Sequence, residues 1–239
     1  MAGPPAALRI VDAAKRRGAG GTGDFALLIP AFSVNPGEAI AITGPSGAGK
    51  STLLDLLALA LKPDTVGLLQ VAGHDAAVLW RKSRLDALAA LRAAHFGYVL
   101  QQGGLLPFLS VRQNILLPQR LAGRRDPARI EALALQLQIA DQLDKKPAAL
   151  SVGQRQRAAI ARALSHRPAI VLADEPTASV HPEMADTILA LLVETARESG
   201  AALVLATHDP ARAEAAGFSL LPLATAREDG VAISVLDRP

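Results

Sequence analysis

Cysteine is absent from the sequence, which excludes disulfides and thiolate metal sites. Aromatic residues are scarce: five Phe, one Tyr and one Trp among 239 residues leave the core to aliphatic side chains, chiefly Ala and Leu. No uncharged apolar run approaches the roughly 18 residues needed to cross a bilayer, so the chain is not expected to span a membrane. Its start, MAGPPAALRIVDAAKRRGAGG, lacks an apolar core ahead of a small-residue cleavage site and does not read as a secretory signal. A cytosolic location is the default expectation. Charge is not concentrated either: the formal net charge is +3, the pI is about 9.6, and Arg is spread along the chain. The short clusters Lys15-Arg16-Arg17, Arg81-Lys82-Ser83-Arg84 and Arg124-Arg125 read as solvated surface, and no nucleic-acid partner is expected from them.

What the chain does have is GPSGAGKST, residues 44 to 52. It fits G-x-x-x-x-G-K-[ST], with Gly44 and Gly49 as the fixed glycines and Pro45, Ser46, Gly47 and Ala48 between them. An apolar run, Ala39 to Ile42, leads in, and a helical pattern with Leu53, Leu54, Leu57 and Leu61 on one face follows. A helix start leaves backbone N–H groups without partners and carries the positive end of the helix dipole, and both attract phosphate. Gly47 and Gly49 let the backbone curl close to the anion. Lys50 then reaches the β- and γ-phosphates of a nucleotide, the Ser51 hydroxyl binds Mg²⁺, and Thr52 touches the α-phosphate.

Further along, Gly67 to Asp75 alternates like a strand that ends in a hairpin or loop. Ser83 with Asp86 looks like a capping box for a helix running to about Ala94, and Phe96 to Leu100 is a short buried strand. From Pro107 to about Ala163 the periodicity is helical, interrupted near Gly123 and Pro147. Strands follow at Ala169 to Ala173 and Ala201 to Thr207, separated by a helix from Pro182 to about Ser199 that Gly200 terminates. Asp209-Pro210 opens another helix. Strands interleaved with helices predict an α/β fold with a parallel sheet covered on both faces and a helical lobe set into it.

The second chemical element is AIVLADEPT, residues 169 to 177: a buried strand that ends in two adjacent carboxylates. In a parallel sheet the carboxyl ends of the strands face the ligand crevice, so both acids arrive beside the phosphate loop. Successive side chains leave the strand end in different directions, which suits separate tasks. Asp174 can hold Mg²⁺ through water, and Glu175 can orient and deprotonate an attacking water.

With these residues in place the sequence resembles the nucleotide-binding subunits of ABC transporters. The resemblance covers nearly the whole chain and five elements in order: the phosphate loop, Gln101 at the end of FGYVLQ, the signature-like LSVGQRQRAAIARAL from Leu150 to Leu164, the paired acids, and His208 in LVLATHD. It implies a single ABC-type domain over 1–239, with a P-loop NTPase core (about 1–101 and 164–239), a mainly parallel sheet, an N-terminal antiparallel β element and an inserted α-helical subdomain (about 102–163). It implies ATP as nucleotide. Gln101 would ligate Mg²⁺ or its water, and His208 would contact the γ-phosphate and hold Glu175 in line. Ser151, Gly153 and Gln154 would cover the ATP held by a partner, in a head-to-tail homodimer or a heterodimer. The segment Leu105 to Pro118, LLPFLSVRQNILLP, looks most like the lipoprotein-releasing and macrolide-export branch.

The implied role is an ATP-hydrolysing motor that drives a separate integral membrane permease from the inner face of the cell membrane. The alternative is an ATPase of the same kind that regulates a permease-like partner without transport, in cell division or envelope signalling. A soluble nucleic-acid or ribosome ATPase of this class would need a second such domain or a long coiled coil, and the stretch between Lys50 and Ser151 has no space for one. Three departures stand out. Val152 replaces the first glycine of the signature, Val180 and His181 stand where the family has a Leu-Asp pair, and no Tyr stands at the adenine-stacking position, which leaves Phe25 and Arg17 as substitutes.

Overall fold

The computed structural model describes residues 5–18, 25–101, 103–178, 180–228 and 231–238. Its centre is a five-stranded, all-parallel sheet in the order β6-β7-β8-β3-β9, built from β3 (Ala39–Thr43), β6 (Phe96–Val99), β7 (Ile170–Asp174), β8 (Ala202–Thr207) and β9 (Ser219–Pro222). Alternation splits its side chains between two cores. Ile40, Ile42, Leu172 and Val204 pack on one face, while Ala41, Val171, Ala173 and Leu203 pack on the other. A parallel sheet needs cover on both faces, and the continuous apolar runs of β7 and β8 follow from that.

A second sheet, β10-β11-β2-β1-β4-β5, is mostly antiparallel. It joins β1 (Leu8–Arg17), β2 (Phe25–Val34), β4 (Leu68–Val71) and β5 (His74–Asp75) to the C-terminal β10 (Ala224–Glu228) and β11 (Val231–Arg238). β11 runs parallel to β2. This sheet shares the first core with α1 (Lys50–Leu57), α2 (Ala76–Arg81) and α3 (Leu85–His95). The other core is closed by α4 (Val111–Leu121), α5 (Pro127–Gln136), α6 (Val152–Leu164), α7 (Pro182–Glu198) and α8 (Pro210–Ala215).

Most expected elements are present, and their ends have the expected chemistry. Asp209 caps α8 by accepting from the Arg212 N–H, with Pro210 in the first turn. Gly200 follows α7 at φ 68°. Other expectations need correction. The helix after the phosphate loop stops at Leu57, because Leu59 takes a left-handed φ of 57°, and Leu61 lies beyond it. Ser83 caps nothing: it has φ 51°, and α3 starts from Arg84 without a side-chain cap. Asp75 instead caps α2, a helix the sequence pattern did not reveal. The C-terminal strands β9 to β11 were also not read from the pattern.

Candidate functional site

β3 delivers the chain to the phosphate loop, and α1 leaves it. Gly49, at the N-cap of α1, has φ 86°, and a Cβ there would lie 2.2 Å from Cζ of Phe25, so glycine is required by both conformation and space. Lys50 is 5% exposed, and its ammonium donates to the carbonyls of Gly44 (2.9 Å) and Pro45 (3.0 Å). Ser234, buried on β11, donates to the Ala48 carbonyl at 2.8 Å. The loop is therefore tied to strands far from it in sequence.

The loop forms one wall of a cleft of about 330 Å³, lined by Ser46, Gly47 and residues 49–52. The opposite wall carries Gln101, Asp174 and Glu175 from the ends of β6 and β7. The sequence expectation that both acids arrive beside the loop is met, and they point to different partners. Burial raises the Asp174 carboxyl above the usual range, as do the charges of Glu175 and Asp55; a hydrogen bond from the Ser51 hydroxyl and the Lys50 charge oppose the rise. Glu175 leaves the strand with φ 43°, a left-handed backbone rare outside glycine, held by its N–H donating to Ala206 O at 2.9 Å. That turn sets one carboxylate oxygen 3.4 Å from Lys50 Nζ and the other 2.5 Å from His208 Nδ1. Glu175 thus bridges the loop cation and the histidine that follows β8.

The signature residues stand apart from this cleft. Ser151 is the N-cap of α6: its hydroxyl accepts from the Gln154 N–H (3.2 Å), and the Gln154 side chain accepts from the Ser151 N–H (2.9 Å). Val152 is 43% exposed. Gly153 is buried, and a Cβ on it would meet Met184 Sδ at 2.0 Å. His181 is the exposed N-cap of α7 and makes no capping bond. Arg17 and Phe25 prove to be cross-strand neighbours, with the Phe25 ring on the phosphate loop.

The contacts of Ser234, Phe25, Met184 and Asp55 escaped sequence reasoning. Only Asp55 had a signal, an acid one helical turn after Ser51.

The family profile described as ABC transporter matches residues 29–178. The chain belongs to the ABC transporter family. It is an ATP-binding, ATP-hydrolysing cassette of that family with an α/β fold. The cassette is 42% identical over 182 residues to the lipoprotein-releasing system ATP-binding protein LolD 1 of Rhodospirillum rubrum, covering 75% of this chain and 78% of that one. It is 40% identical over 210 residues to LolD of Granulibacter bethesdensis, covering 87% and 90%. The macrolide export ATP-binding/permease protein MacB of Salmonella typhimurium is 40% identical over 182 residues, which span 75% of the cassette and 27% of MacB. A solved dimeric bacterial ABC transporter cassette superposes with a TM-score of 0.75 at 29% identity, covering 94% of this chain and 95% of that one. The same holds for a dimeric post-hydrolysis cassette bound to ADP and Pi. The branch resemblance read from residues 105–118 agrees with these relatives.

Proposed function

We propose that two copies of this cassette clamp two ATP molecules head to tail and use closure and hydrolysis to drive a separate membrane permease from the inner face of the membrane. The observation that carries this reading is the separation of the two half-sites. The phosphate loop and the acids line one cleft, while Ser151, Gly153 and Gln154 sit elsewhere at an exposed helix start. A helix N-terminus favours phosphate, and a second copy supplies one. Residues 1–239 then act as one domain, with the core at about 1–101 and 164–239 and the helical lobe at about 102–163.

Within each site Lys50 holds the β- and γ-phosphates and Thr52 the α-phosphate, with the backbone of Gly44 to Gly49 around them. Ser51, Asp174 and Gln101 fit Mg²⁺: they are hard oxygen donors around one cleft. Among the described residues no cluster of three His, Cys, Asp or Glu could hold a metal. Bound in the cleft, Mg²⁺ would neutralise charge on the phosphate oxygens. Glu175 takes the proton of the attacking water. His208, hydrogen-bonded to Glu175, keeps that carboxylate aimed and contacts the γ-phosphate. His181 supplies no fixed negative charge where the family has an Asp, so either the two sites couple weakly or the cassette works with a different ATPase partner.

No helix of the described residues is long and apolar enough to cross a membrane, and the proposed function assigns the passage to a separate permease. An apolar groove of about 410 Å³ between α3 and α4, lined by Ala89, Phe96, Leu106, Leu117 and Leu121, suits a short permease helix. Phe108 and Leu121 are 69% and 67% exposed. Tagged cassette purified from its native membranes should bring down an integral membrane protein. Phe108→Asp with Leu121→Asp should lose that protein while the isolated cassette keeps its ATPase activity. Recovery of the cassette without any integral membrane protein would contradict the reading.

A further inference from the structure

We propose that Asp55 and Tyr98, which belong to none of the five motif elements, are positioning residues that shape the cation site at Asp174 and tie it to the strand carrying Gln101. The inference rests on the nucleotide-site reading above and extends it to two further side chains.

Ser51 and Asp55 are one turn apart on α1, so they share a face of the helix. Tyr98 is paired with Leu172 across the β6–β7 ladder, and Leu172 and Asp174 are two residues apart on one strand, so all three lie on the same side of the sheet. α1 covers that side, since Leu53, Leu54, Leu57 and Leu172 share one core, with Tyr98 packed against it. The Tyr98 hydroxyl donates to Asp55 Oδ1 at 3.4 Å. Ser51 and Asp174 line one cleft, which places Asp55, one turn along α1, on the side of the helix that faces β7. Tyr98 is held protonated by burial and by the charges of Asp55 and Asp174, so it remains a donor.

The circuit therefore runs from Asp174 on β7 to Ser51 and Asp55 on α1, and from Asp55 by hydrogen bond to Tyr98 on β6, and three residues later the chain reaches Gln101. Asp174 and Glu175 line the cleft with one ammonium, Lys50, 3.4 Å from Glu175, and Asp55 adds a further acid on α1, so a divalent cation in the cleft relieves the repulsion among them. Asp55 strengthens the pull on that cation without touching it, and Tyr98 fixes where Asp55 points. A change in charge at Asp174 reaches β6 by the same contacts.

ADP binding by the full chain, measured at equilibrium in EDTA and across a Mg²⁺ titration, tests this without hydrolysis. Asp55→Asn should leave ADP affinity in EDTA unchanged, which also shows that the variant is folded, and should weaken Mg²⁺ affinity roughly tenfold. Tyr98→Phe should act in the same direction by about threefold, and the double variant should be no worse than Asp55→Asn alone. Tyr98 is the chain's single tyrosine, so selective ring labelling gives one NMR signal. That signal should shift when Mg²⁺ is added to the ADP complex, and the shift should vanish in Asp55→Asn. Mg²⁺ affinity within about twofold of the unsubstituted chain, or an identical shift in both proteins, would overturn the proposal. If the unsubstituted chain bound no ADP at all, the nucleotide-site reading would fall, and this one with it.

Discussion

The phosphate loop is gripped from several directions, whereas the signature at Ser151 is closed mainly upon itself. Lys50 is fastened to the loop's own carbonyls, Ser234 reaches Ala48 from the C-terminal sheet, Phe25 presses on Gly49, and Glu175 faces the ammonium. At the signature, Ser151 and Gln154 satisfy each other, Val152 is exposed, and Gly153 meets Met184 from α7. One half-site is organised by the fold before any ligand arrives. The other is a helix start presented outward, which on the proposed reading acquires a ligand only when a partner brings one. On that reading a single cassette has affinity for nucleotide and turnover is reserved for the pair.

Substitutions on the two sides should therefore separate binding from turnover. Ser151→Arg should leave ATP affinity of the monomer unchanged and lower ATPase activity about a hundredfold, because it obstructs the covering half-site. Lys50→Ala should instead weaken ATP binding itself by about tenfold, through loss of a charge-assisted contact to phosphate. Direct nucleotide titration beside steady-state hydrolysis distinguishes the two patterns. Equal loss of binding in both variants would erase the contrast.

A pH experiment sharpens it. The helix that starts at the signature is anchored just past its far end, where buried His166 donates from Nε2 to Phe96 O at 3.1 Å. Burial pushes this imidazole down to about 4, and the nearby charges of Arg124 and His95 push the same way against the Phe96 hydrogen bond. Between pH 6.5 and about 4 the unfolded chain binds a proton that the folded chain refuses, so stability is lost as pH falls through that window. The loss should reach about 3 kcal/mol in urea melts and flatten in His166→Gln.

A smaller effect is expected at the seam between α6 and α7. Gly153→Ala should cost about 1 kcal/mol, since Met184 is flexible enough to shift. The double variant with Met184→Ala should be no less stable than Met184→Ala alone, as thermal denaturation can check.

The sequence revealed the site wherever its chemistry is contiguous. Residues 44–52 and Asp174-Glu175 announce themselves because loop, cation, hydroxyl and acids follow one another along the chain. Gln101, His208 and Ser151 gained meaning from their order relative to those motifs. The supporting contacts were invisible because they join distant positions: Ser234 to Ala48, Phe25 to Gly49, Met184 to Gly153 and Tyr98 to Asp55. No local pattern encodes such a pair. Fold errors arose where backbone conformation overrode side-chain type. Ser83 looked like a cap but is left-handed, and left-handed Leu59 cut short an apolar stripe that extended to Leu61.

Sedimentation of Glu175→Gln with saturating ATP and Mg²⁺ tests the central claim most directly. This change removes the proposed base, which should slow turnover by about 10²–10⁴-fold while leaving the loop and signature intact. A stable dimer that returns to monomer when Ser151→Arg is added is the predicted result. A nucleotide-loaded protein that stays monomeric at every concentration would contradict it.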